Sequence, residues 1–129
     1  MSEQTAAKAP GRFRRAWSRL AADDAELANR ELQGACEEVG ATAVTDCCRG
    51  EPVRVAGTLR AVTLRPRAGA PTLEAELYDG TGSVLLIWLG RRRIAGIECG
   101  RRVVARGRLT EHEGRPTIYN AAYELQPTP

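Results

Sequence analysis

The chain has 129 residues, enough for one domain with a modest core. Nineteen Lys+Arg stand against sixteen Asp+Glu, a formal net charge of +3, far below the excess of a tail-driven polyanion binder. It contains no apolar stretch of about 18 residues, which excludes a membrane-spanning helix, and residues 1–30 lack the continuous apolar core of a signal peptide.

Residues 1–10 are small and polar and are expected to form a disordered leader. From Arg12 the spacing of Phe13, Trp17 and Leu20 predicts a helix. A second helix is predicted from Asp23, because Asp23 and Glu26 resemble a capping box. Its apolar positions Ala28, Leu32, Ala35 or Cys36, and Val39 keep one face, and Gly40 supplies the stop. The first piece is positive (Arg12, Arg14, Arg15, Arg19), whereas residues 23–38 hold six acids against Arg30. These opposite charges lie over different parts of the body or pair with another molecule.

From Glu51 the apolar period becomes two. Val53, Val55, Gly57 and Leu59 alternate with polar or small residues, and the phase slips near Ala61 before Val62 and Leu64. This predicts a long strand, bent at Gly57 and bulged at Ala61. Residues 65–71 read as a loop from their Pro and Gly content. Thr72–Tyr78 and Ser83–Leu89 are predicted strands joined by the hairpin Asp79-Gly-Thr-Gly82. Val103–Thr110 and Thr117–Leu125 are two more, joined by the turn at residues 111–115. Parity puts Trp88 in the core with Val84 and Leu86. The opposite parity leaves Glu74, Glu76, Tyr78, Ser83, Leu85, Ile87 and Leu89 facing outward, where the N-terminal helices are one expected cover for the aliphatics.

Val53-x-Val-x-Gly-Thr-Leu, Leu77-Tyr-Asp-Gly-Thr-Gly82, Gly96-Ile-x-x-Gly100 and Val103-x-x-x-Gly107 together resemble OB-fold domains. The type is that of tRNA anticodon-binding domains and of the wedge domains of branch-migrating helicases. Trp88-Leu-Gly-Arg-Arg-Arg-Ile, followed by Ile118-Tyr-Asn-x-x-Tyr-Glu-Leu125, resembles small stand-alone bacterial OB proteins described as nucleic-acid-binding. The resemblance spans residues 46–126. It implies an all-β, five-stranded OB-fold barrel there, after an N-terminal helical extension at 11–45 and the leader at 1–10. It also puts the base-stacking position of the second strand at Glu74 and a base-reading position of the third at Leu85.

Charge is unevenly placed. Residues 1–50 hold seven cations and eight acids, net −1, whereas residues 51–129 hold twelve and eight, net +4. Arg65 and Arg67, the run Arg91, Arg92 and Arg93, Arg101 and Arg102, and Arg115 fall in or beside strand connections, where OB domains commonly engage ligand. Eighteen of the nineteen cations are arginines, suited to bidentate phosphate contacts. The expected function is therefore a non-catalytic nucleic-acid-binding module, taking single-stranded or junction DNA or RNA by its backbone. Arg65, Arg67, Arg91, Arg92, Arg93 and Arg115 would hold phosphates, and Tyr78 (with Tyr119 or Tyr123) would stack. The alternative is a protein-interaction or regulatory OB module whose partner meets the aliphatic and acidic barrel face.

Signs of catalysis are missing. Asp79-Gly-Thr-Gly82 lacks the Gly-Lys-Ser/Thr of a phosphate loop and reads as a turn. His112, between Glu111 and Glu113, reads as a solvated turn residue without a nucleophile nearby. Cys36, Cys47, Cys48 and Cys99 include no Cys-x-x-Cys pair, so neither a metal nor another cofactor is expected. Without a secretory signal the location is expected to be cytoplasmic and the four thiols reduced.

Overall fold

The computed structural model describes residues 11–127, with side-chain surroundings from residue 22 onward. The leader predicted at 1–10 lies outside these residues. One helix, α1 (Gly11–Glu38), is followed by a 3-10 turn at Val44–Asp46 and seven strands. The strands are β1 (Pro52–Arg67), β2 (Ala70–Tyr78), β3 (Ser83–Leu89), β4 (Arg102–Arg108), β5 (Thr110–His112), β6 (Arg115–Tyr119) and β7 (Ala122–Leu125). Among the described residues no helix is long and apolar enough to cross a membrane.

The two predicted helices are one. No Gly or Pro interrupts residues 12–33, and Ala21-Ala22 are strong helix formers, so the cap signal at Asp23 does not break the chain. The predicted stop holds: Gly40 takes φ 75°, its N–H bonds the Glu37 carbonyl, and the Ala41 N–H bonds the Cys36 carbonyl, a Schellman ending.

Seven strands replace the five expected, because the last two predicted strands are each broken once. Leu109 leaves its ladder to exchange hydrogen bonds with Gly50 and Glu51 and is buried, which separates β4 from β5. Asn120, in the left-handed region at φ 50°, and buried Ala121 separate β6 from β7. The predicted loop at 65–71 shrinks to a tight turn at Ala68-Gly69, so Arg65 and Arg67 stand on β1 itself.

The strands form one sheet in the order β5-β6-β3-β2-β1-β4-β7. β3 and β6 are parallel; the other pairs are antiparallel. The edge strands β5 and β7 continue β4 and β6 respectively. The sheet thus curls back on itself, consistent with an OB-like barrel. Thr58 marks the hand-over within β1, pairing with Arg102 of β4 and with Tyr78 of β2. The register shift predicted near Ala61 lies between Leu59 and Ala61.

Inside the curl, Val55, Leu59, Leu73, Ala75, Leu77, Val84, Leu86, Trp88, Val103 and Ile118 form one core. The parity reading of Trp88 holds, and its indole N–H donates to the Ala121 carbonyl at 3.0 Å. Asp79 ties the helical extension to this body. Its Oδ1 accepts from Thr81 and Gly82 across the hairpin, and its Oδ2 accepts from the Val44 N–H at 2.7 Å. The second half of α1 then lies on the outside of β1 and β4, where Leu32 and Cys36 pack on Ala56 and Val104. It does not reach Leu85 or Ile87.

Three outcomes follow. A Cβ on Gly57 would run into the Tyr78 carbonyl, so Gly57→Ala should cost about 2–3 kcal/mol in urea unfolding. Gly34→Ala, in a helix with open space around it, should stabilise by about 0.5 kcal/mol. Burial, reinforced by Asp79, pushes the Cys36 thiol from 9.0 up to about 11. The folded chain keeps that proton where the unfolded chain releases it, so stability should fall as pH rises from 9.0 toward about 11. Cys36→Ala should flatten this part of the pH–stability curve.

Candidate functional site

Register decides which side chains share the outer face. Thr63 and Arg65 of β1 pair with Glu74 and Thr72 of β2. Glu76 and Glu74 pair with Leu85 and Ile87 of β3, and these with Thr117 and Tyr119 of β6. His112 and Arg115 pair across the β5–β6 turn. Side chains alternate along a strand, so this row lies opposite the core.

Arginines from two separate segments converge here on two carboxylates. Arg67 donates from Nε and Nη2 to Glu74 Oε2, at 3.1 and 2.6 Å, and its Nη1 lies 2.9 Å from His112 Nε2. The hydrogen-bonded Glu74 carboxylate holds the Arg67 guanidinium even more firmly protonated than usual. Arg65 Nε stands 3.7 Å from Glu74 Oε1. Arg115 donates to Glu76 at 3.1 Å, and Arg60 approaches the same carboxylate at 3.9 Å. His112 Nδ1 is 3.1 Å from the Tyr119 hydroxyl. Arg65, Arg67, Arg115, Glu74 and His112, with Pro66, Leu85 and Glu113, line a cleft of about 270 Å³; Glu76, Arg60 and Tyr119 flank it.

Exposure separates the arginines by role. The Arg67 side chain is 30% exposed, against 64% for Arg65 and 47% for Arg115. Arg67 spends its donors inside the protein, clamping the β1 end to the β5–β6 hairpin, whereas Arg65 and Arg115, each facing a carboxylate, stay largely in water. Arg91, Arg92 and Arg93 are exposed beyond β3, beside the β1–β2 turn through the bond from Gly90 N–H to the Pro71 carbonyl.

Four expectations change. Tyr78 is not an open stacking platform: the Arg60 guanidinium lies 4.2 Å over its ring, and its hydroxyl donates to Asn29 of α1 at 3.1 Å. Glu74, at the anticipated stacking position, is buried beneath arginine. Leu85 and Ile87 are buried as well, under the charged row rather than under the helix, whereas Leu89 on the same face is half exposed. His112 is not a solvated turn residue but the link between Arg67 and Tyr119. Arg60, His112 and Tyr119 complete the row. The phase slip at Ala61 was the signal for Arg60, and the tight turn between His112 and Arg115 was the signal for His112. Tyr119 is 38% exposed, with its ring edge-on to His112.

A scan against protein-family models and a search of curated proteins find no match. Among solved structures the chain is similar to one described as RecG bound to a three-way DNA junction, with 25% identity and a TM-score of 0.56. The likeness covers 67% of this chain and 12% of that one, so the chain spans about an eighth of that protein's length. It supports an OB-type domain.

Removing Arg67 leaves the buried Glu74 carboxylate without its main partner. Arg67→Ala should cost about 2 kcal/mol in thermal or urea unfolding, whereas Arg65→Ala and Arg115→Ala, exposed partners, should each stay below about 1 kcal/mol.

Proposed function

We propose that this chain is a non-catalytic OB-type nucleic-acid-binding module that takes single-stranded or junction DNA or RNA through its phosphate backbone. The convergence of Arg65 and Arg115 on one cleft, with Tyr119 at its side, carries this reading. Planar guanidinium forks suit phosphate oxygens, and the exposed run Arg91–Arg93 extends the same basic edge past β3. Arg67 acts as the clamp that holds this surface in shape. Tyr119 takes the stacking role expected of Tyr78, since a half-exposed ring beside a basic groove is how single strands are held without sequence readout. The likeness to a structure containing a DNA junction supports the same class of ligand. The protein acts in the cytoplasm, where its four free cysteines remain thiols.

The test is fluorescence anisotropy with labelled single-stranded DNA, single-stranded RNA and a three-way DNA junction, at low and moderate salt. Binding should be micromolar and weaken steeply with salt. Arg65→Ala and Arg115→Ala should each weaken it about 3–10-fold and lower the salt slope by about one. The triple change at Arg91, Arg92 and Arg93 should weaken it more. Retention of none of these ligands at low salt would overturn the proposal.

A further inference from the structure

The N-terminal half of α1 carries an interaction surface, and we propose that its occupant is the same segment of a second copy of this chain, crossing antiparallel. The helix spans 28 residues, about 42 Å, and among the side chains described, from residue 22 onward, its attachments to the barrel start at Asn29, with Leu32 and Cys36 following. Residues 22–28, two full turns, are exposed on every side, Leu27 by 56%. A helix with no partner over this length has only weak intrinsic stability in water.

Charge identifies the partner. Positions 12–19 carry four arginines and no carboxylate, whereas positions 22–38 carry six carboxylates and one arginine. A polyanion fits the first half and is repelled by the second. The ligand that satisfies both halves has the same two blocks in reverse order, which is this helix turned around. The apolar positions 13, 17, 20 and 27 recur at three- and four-residue intervals, interrupted by Asp24, a seam of coiled-coil spacing. With the crossing centred on Leu20 of both copies, position 13 falls opposite 27 and Arg14 opposite Glu26. Arg15 and Arg19 then come within a turn of Asp24 and Asp23. Every contact occurs twice, as a two-fold axis requires. Glu26 already pairs with Arg30 at 2.7 Å, but both side chains are more than 60% exposed, so that pair yields easily. The proposed contacts use positions 13–27 and none of the residues that line the cleft at Arg65 and Arg115. The pairing is therefore independent of the nucleic-acid reading.

Sedimentation velocity of the full chain tests it. The apparent mass should double with concentration, with a midpoint in the range of about 1–100 µM for an interface of this size. Reversing the basic block (Arg14→Glu, Arg15→Glu, Arg19→Glu) should weaken self-association at least about 10-fold, and so should reversing the acidic block (Asp23→Arg, Asp24→Arg, Glu26→Arg). An equimolar mixture of the two reversed chains should recover the dimer, because each then supplies what the other lacks. Urea unfolding of each reversed chain in a Trp17→Phe background, where Trp88 is the one fluorescent tryptophan, checks that the barrel is intact. A chain that stays monomeric throughout, a dimer indifferent to both reversals, or a mixture that fails to associate overturns the proposal. So does loss of labelled-DNA retention on reversing the basic block with the mass unchanged, which would assign that block to nucleic acid.

Discussion

The architecture depends on one strand serving two ladders. β1 pairs with β4 through its first half and with β2 through its second, and Thr58 belongs to both. For the sheet to curl there, β1 must pass close against the end of β2. Gly57 permits this, since any side chain would strike the Tyr78 carbonyl. The bulge between Leu59 and Ala61 then resets which side chains face out. Without that reset Arg65 and Arg67 would point into the core, so the bend in β1 places the basic residues as well as closing the sheet.

Once outside, the arginines meet carboxylates, and burial sorts them. Glu74 is covered, and a covered carboxylate is costly unless paired and hydrogen-bonded. Arg67 meets that demand and is consumed by it. Glu76 is less covered, and its partners Arg60 and Arg115 remain partly in water. One row thus contains a structural guanidinium and available ones, of the same residue type and on the same parity. The net +4 of residues 51–129 is therefore a poor measure of the charge a ligand meets.

Much of this was legible in the sequence. Period-two alternation placed Leu73, Ala75, Leu77, Val84, Leu86 and Trp88 in the core, and the phase slip located the bulge. Gly40 marked the end of α1. What the sequence concealed were effects of tertiary context. The breaks at Leu109 and Asn120 come from pairing to residues far along the chain. Tyr78 was selected as an aromatic on the right parity, but α1 and Arg60 claim it from two sides. Arg65, Arg67 and Arg115 were found as members of the site, while the internal commitment of Arg67 depends on Glu74 and His112, residues 7 and 45 positions away.

The chain of contacts from Arg67 through His112 to Tyr119 has a direction. A guanidinium only donates, so His112 Nε2 must accept from Arg67, and the ring hydrogen then sits on Nδ1. Nδ1–H in turn donates to the Tyr119 oxygen, leaving the phenolic hydrogen free to turn toward the cleft. The polarity of one imidazole thus sets which way the hydrogen of a neighbouring phenol can turn.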